Sequence, residues 1–174
     1  MTGKFLAILL LLSALVGGVA MYYLQVYAYY EEVVPTGTDD VMLTALDGTR
    51  APIPFANFQG IDAESSPIRY RVCFDTTLTL DEATARYEPY DNAAPRVAPG
   101  WFDCFDAEAI AAEMDAGTAK VFVDQRNREF GIDRVVAITE DGRGYVWHEI
   151  NECGDKAYDG SPLGDECPPR DGVN

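Results

Sequence analysis

The apolar positions of this 174-residue chain fall into two regimes. From Phe5 to Tyr30 the sequence FLAILLLLSALVGGVAMYYLQVYAYY contains no charged side chain. At about 1.5 Å of rise per residue, Phe5 to Leu24 alone builds a helix of roughly 30 Å, the thickness of a bilayer's hydrocarbon core. Beyond Glu31 the apolar residues come in short alternating or helical groups separated by turn residues, as in a folded domain.

Taken in order, those groups predict the following elements. Val41 to Leu46 reads as a strand, with Asp47-Gly48 as its turn and a second short strand at Arg50 to Ile53, kept to an edge by Pro52 and Pro54. Phe55 to Pro67 reads as a loop whose Phe55 and Phe58 pack down on the core. In Ile68–Phe74, Ile68, Tyr70, Val72 and Phe74 share one face and Arg69, Arg71 and Cys73 the other. Thr79-Leu-Asp-Glu82 is a capping box opening a helix from Leu80 to about Glu88, which Pro89 stops. A proline-rich loop, Tyr90 to Pro99, leads into Gly-Trp-Phe-Asp-Cys-Phe-Asp106, and Asp106 caps a helix over Ala107–Ala116 that Gly117 closes. Thr118 to Asp124 predicts a strand and Gln125 to Gly131 a charged turn. Asp133–Thr139 and Tyr145–Ile150 form a hairpin around Glu-Asp-Gly-Arg-Gly144.

The sum is an α+β fold: one N-terminal transmembrane helix, then a disulfide-stapled antiparallel sheet with two helices on one face. The corresponding domains are an anchor over 1–30, a linker over 31–40, a domain over 41–150 and a tethered tail over 151–174.

A cleaved signal peptide is the competing reading of the apolar run, since Lys4 supplies an n-region and Gly18 and Ala20 small residues for cleavage. Tyr22, Tyr23, Tyr27, Tyr29 and Tyr30 favour an uncleaved anchor, because tyrosine clusters at membrane–water interfaces. Lys4 precedes the run and the next basic residue is Arg50, so the positive-inside rule puts the N-terminus in the cytoplasm and the rest outside. Ser13/Gly17 and Ala14/Gly18 are small-xxx-small pairs that admit a second helix, although Gly and Ala are also common in spans.

Charge narrows the partners. The net charge is −16, from 13 Lys and Arg against 29 Asp and Glu. With Lys4 set aside, the part beyond the apolar run carries 12 against 29, or −17. Such a surface repels nucleic acid and favours a basic protein partner. Cys73, Cys104, Cys153 and Cys167 all lie in that part. An even count on an oxidising side reads as two disulfides, with Cys73–Cys104 and Cys153–Cys167 favoured and two other connectivities open.

Catalytic signals are sparse. His148 is the one histidine, and no GxSxG motif accompanies it, so it reads as an exposed or edge-strand residue. No cofactor is expected: there is no CxxCH for haem and no metal-ligand spacing. Asp155, Asp159, Asp165 and Glu166 could meet calcium, but their spacing is not that of an EF-hand. Trp101, Phe102 and Phe105 are candidates for partner binding or for packing around Cys104. Arg69 and Arg71 are candidates for a carboxylate partner or for internal ion pairing.

The segments MYYLQVYAYYEEV, RYRVCF and GWFDCFDA together resemble an uncharacterised family of small anchored proteins from alphaproteobacteria. The resemblance implies a Gram-negative cell, hence an inner-membrane anchor and a periplasmic domain, and it implies no activity. The expectation is a non-enzymatic accessory subunit docking on a larger membrane complex, plausibly respiratory. The alternatives are a binding or assembly factor for a basic partner such as a cytochrome, and a hydrolase with an unrecognised site.

Overall fold

The computed structural model describes residues 2–164 and 167–169. Helix α1 (Thr2–Tyr23) continues into one π-helical turn, Leu24–Ala28. Its large apolar side chains, from Phe5 to Tyr23, stand exposed. By length and composition the helix over Gly3–Ala28 is able to cross a membrane.

Among the described residues eight strands and two further helices follow: β1 (Glu31–Glu32), β2 (Met42–Thr44), β3 (Arg50–Pro52), β4 (Ala56–Asp62), β5 (Arg71–Asp75), α2 (Leu80–Arg86), α3 (Ala107–Ala116), β6 (Ala119–Glu129), β7 (Ile132–Thr139) and β8 (Arg143–Ile150). Six strands form one antiparallel sheet in the order β1-β4-β5-β8-β7-β6, and β2-β3 form a separate hairpin. The expected α+β architecture is therefore present, with an apolar N-terminal helix and two disulfides.

The two helices divide between the faces of the sheet instead of sharing one. Leu80 and Ala83 of α2 join Val41, Leu43, Val72, Phe74, Phe122, Val136, Ile138 and Val146. On the opposite face Ile110 of α3 packs with Phe102, Phe105, Cys73, Val121, Val135, Ala137, Tyr145 and Trp147. The reason lies in β7, where every residue is buried. A strand apolar on both sides needs cover on both sides.

Both helix caps form as expected. Thr79 and Glu82 make the reciprocal capping box, Asp106 accepts from the amides of Glu108 and Ala109, and Gly117 closes α3 at a positive φ of 77°. Phe55 and Phe58 do pack against the core.

Three expectations about connections are corrected. The supposed loop 55–67 contains β4, hidden by its polar Asn57 and Gln59 and by a register shift between Ala56 and Gln59. Glu31–Glu32, expected in a linker, pair with Asp62 and Ile61 as β1. This close pairing uses Gly60, where an added Cβ would lie 3.0 Å from the Val33 Cβ. Strand β6 runs on to Glu129 through bulges, so the charged turn shrinks to Phe130-Gly131.

The cysteines pair sequentially. Cys73 on β5 joins Cys104 ahead of α3, 31 residues on, and Cys153 joins Cys167, 14 residues on. The Cys153–Gly154 turn, within the expected tethered tail, sits down on the sheet's end. Cys153 is buried, and a Cβ on Gly131 would lie 2.4 Å from the Cα of Gly154.

Candidate functional site

The end of the apolar helix is built into the domain. The indole N–H of Trp101 donates to the Val26 carbonyl at 2.7 Å. The same ring stacks on Tyr27, with centroids 6.1 Å apart, and meets Tyr30 edge-on at 5.9 Å. The Arg69 guanidinium lies over the Tyr30 ring at 5.8 Å. Immediately beyond, β1 pairs with β4, and the Val33 amide donates to Gly60 at 2.8 Å. Aromatic stacking, a main-chain hydrogen bond and strand pairing thus act within a dozen residues of chain.

The loop that carries Trp101 is held from beneath. Phe102 and Phe105 are buried in the core, and Cys104 is tied to β5. Arg71, itself buried, donates to the carbonyls of Ile68, Tyr70, Arg96 and Val97 at 2.7–3.3 Å. Burial pulls its guanidinium down to about 10, which leaves it charged at neutral pH. Of the five candidate partner-binding residues, then, the structure leaves Trp101 and Arg69 at the junction. Phe102, Phe105 and Arg71 are removed from the accessible surface and position the loop. Sequence alternation placed Arg71 on its face but could not show that carbonyls, not carboxylates, await it.

Ser13, Ala14, Gly17 and Gly18 lie exposed along α1, and nothing comes within 4 Å of a Cβ added at Gly17 or Gly18. The Ser13 hydroxyl returns to the Leu10 carbonyl at 3.0 Å.

A second feature is an open cleft of about 560 Å³ between residues 89–92 and the ends of β7 and β8. Two buried carboxylates that face each other across these strands, Asp133 and Glu149, line it. Asp133 accepts from the Asn127 amide and the Asn151 side chain, each at 2.7 Å, with Arg126 at 3.6 Å. Glu149 accepts from the Trp147 indole at 2.7 Å and the Ala94 amide at 2.6 Å, and pairs with Arg96 at 3.1 Å. Burial, with the Asp133 charge nearby, pushes the Tyr90 phenol well above its ordinary value, so it stays neutral. Each carboxylate is thus engaged by hydrogen-bond donors and an arginine from neighbouring segments, which tie residues 94–96 and 126–127 to the sheet.

Among the described residues no group of three or more His, Cys, Asp or Glu is arranged to hold a metal ion. Asp159 spends its carboxylate on the Ser161 amide and hydroxyl. Asp165 and Glu166, the other half of the calcium expectation, lie outside the described residues.

His148 is not at an edge. It is buried on β8, flanked by β5 and β7, and its Nδ1 meets the Pro67 carbonyl. Its ring stacks on Tyr70 at 4.9 Å, and the Arg134 guanidinium lies 4.5 Å from the same Tyr70 ring. Arg134 in turn pairs with Asp124 at 2.9 Å, and Arg50 pairs with Asp124 at 2.6 Å. Burial pushes the imidazole down to about 4, so it is neutral at pH 7 with its Nδ1–H donated to Pro67. The signal for this network was present as charges inside apolar runs: Asp124 closing VFVD, and Asp133-Arg134 opening DRVVAIT.

A family model described as a family of unknown function (DUF6446) matches residues 41–168, from just before β2 to just past Cys167. No curated protein and no solved structure matches the chain.

Proposed function

The chain belongs to the family of unknown function DUF6446, and we propose that it is a membrane-anchored, non-enzymatic accessory subunit. In this reading α1 crosses the inner membrane with its N-terminus in the cytoplasm. The disulfide-bonded domain stands on the oxidising, periplasmic side and docks on a larger membrane complex.

The observation that carries this reading is the built junction: Trp101 bonded to Val26 and Glu31–Glu32 paired into the sheet. A domain that only needed to remain near a membrane would be served by a flexible tether. A fixed mount also sets which face meets a neighbour, and the ordering entropy is spent during folding and not at docking. The open Ser13–Gly18 surface of the helix supports the same reading.

The test is affinity purification of tagged full-length protein from its native membrane in mild detergent, with mass spectrometry of what accompanies it. A stoichiometric membrane complex is expected. Migration alone at its own mass would overturn the proposal. The net charge of −17 beyond the helix, from 12 Lys and Arg against 29 Asp and Glu, supports a second reading, a binding or assembly factor for a basic protein. That partner would be released as salt rises from low to physiological strength, whereas a helix-packed subunit would stay.

A further inference from the structure

We propose that the loop from Arg96 to Trp101 is itself a membrane-binding element, seated in the headgroup layer beside the outer end of α1. The proposal rests on α1 being an anchor and adds a second contact between this chain and the lipid.

Depth is the first argument. Counted from Phe5, about 30 Å of helix ends at Leu24, and Val26 lies roughly 3 Å further out. This is the level at which hydrocarbon gives way to headgroups. The Trp101 indole donates to the Val26 carbonyl, so the loop is held beside that level of the helix.

Composition is the second. In a chain with 29 acidic residues, Val97-Ala-Pro-Gly-Trp-Phe102 has no charge, and neither has Gln25–Tyr30 alongside it. Acidic side chains resume only at Asp103 and at Glu31. The Val97 side chain is 81% exposed although it lies in this uncharged loop, and Trp101 keeps 37% of its surface open after its contacts with Tyr27 and Tyr30. An aliphatic tip, an indole whose polar edge is already satisfied and two tyrosine rings are the groups that favour the boundary between acyl chains and headgroups. Arg69, stacked over Tyr30, supplies a guanidinium at the same level for a lipid phosphate.

The support beneath the loop fits this use. Arg71 gathers the carbonyls of Arg96 and Val97, the Phe102 amide closes a turn on the Pro99 carbonyl at 2.9 Å, and Cys104 ties the loop to β5. The carbonyls of Arg96, Val97 and Pro99, which would be costly to desolvate unpaired, are thereby paired.

The test uses the two tryptophans of the full-length protein in phosphatidylcholine–phosphatidylglycerol vesicles. Trp147 is fully buried and serves as the internal reference. The Trp101 emission is wild type minus Trp101→Phe. Lipids with a spin label high on the acyl chain should quench it strongly, lipids labelled near the chain end only weakly, and aqueous iodide little. Val97→Asp should reduce the shallow quenching and move the Trp101 emission to the red with the thermal unfolding midpoint unchanged. Quenching by iodide and not by lipid labels would overturn the proposal by placing the loop in water. Shielding from both would overturn it in favour of a protein cover. Alkaline carbonate extraction of the same vesicles tests the anchor separately: retention with iodide quenching sinks the loop alone, whereas release sinks the anchor reading.

Discussion

Trp101 and Val26 lie 75 residues apart and share a hydrogen bond of 2.7 Å. A carbonyl near the C-terminal end of a helix has no partner from its own helix, so an indole N–H delivered from the domain supplies one. The bond therefore closes the helix and attaches the domain at once.

Trp101→Phe keeps the stacking and forfeits the hydrogen bond, a loss of about 1 kcal/mol. Trp101→Ala forfeits both. In vesicles, chymotrypsin should cut the Tyr27–Tyr30 segment fastest in Trp101→Ala, more slowly in Trp101→Phe and most slowly in wild type. The thermal midpoint of the domain should hold across all three. Equal rates would show that the indole does not restrain the junction.

Stability should fall on the acid side through His148. Burial lowers its folded pKa to about 4 from an ordinary 6.5, so between these values the unfolded chain binds a proton that the folded chain refuses. The contribution is fully present above pH 6.5 and shrinks as pH drops, by roughly 3 kcal/mol once pH 4 is passed. Urea unfolding of wild type and His148→Gln across this window checks it. The variant should lose part of the slope, leaving only the background from carboxylates.

Asp124 is fully buried between Arg50 and Arg134, at 2.6 Å and 2.9 Å. Asp124→Asn leaves two guanidinium groups facing a neutral amide and should cost about 3–5 kcal/mol. The Asp124→Leu, Arg134→Met double variant should recover a large share of that, because the buried Arg134 charge goes with its partner. Urea midpoints would decide it, and a double variant no more stable than Asp124→Asn would contradict this account.

Removing Cys73–Cys104 opens a loop of 31 residues and removing Cys153–Cys167 one of 14. The chain-entropy account gives losses of roughly 3–4 kcal/mol, the former larger by about 0.7 kcal/mol. Paired Cys→Ala variants compared in urea test the order. The first pair should also quicken chymotrypsin cleavage near Tyr27, since it tethers the loop that carries Trp101.

Local chemistry explains which parts were legible in the sequence. Thr79–Glu82 and Asp106 each meet their amides within one turn, so both helices could be placed from a few neighbouring residues. The hairpin of β7 and β8 and the lids Phe55 and Phe58 were readable for the same reason. Strand β4 was not, because Asn57 and Gly60 owe their places to a bulge and to Val33, which lies far back in the chain. The junction was half legible. Tyr27 and Tyr30 stood out as interfacial residues and Trp101 as a candidate for partner binding or for packing around Cys104, but contact between them needs the fold. His148 looked peripheral because its burial comes from Tyr70 and Pro67 on a different strand approach.

Because the π-helical turn Leu24–Ala28 that ends the apolar helix leads within three residues into β1, the azimuth of the helix and that of the sheet are coupled. One residue added between Tyr30 and Glu31 would turn the domain by about 100° relative to the helix if taken up on the helical side. Taken up on the strand side, it would reverse which side chains of Glu31–Val33 face Gly60. Neighbours that pack against the helix and neighbours that meet the domain are therefore chosen together, and length change at this point is far less tolerated than in an ordinary surface linker.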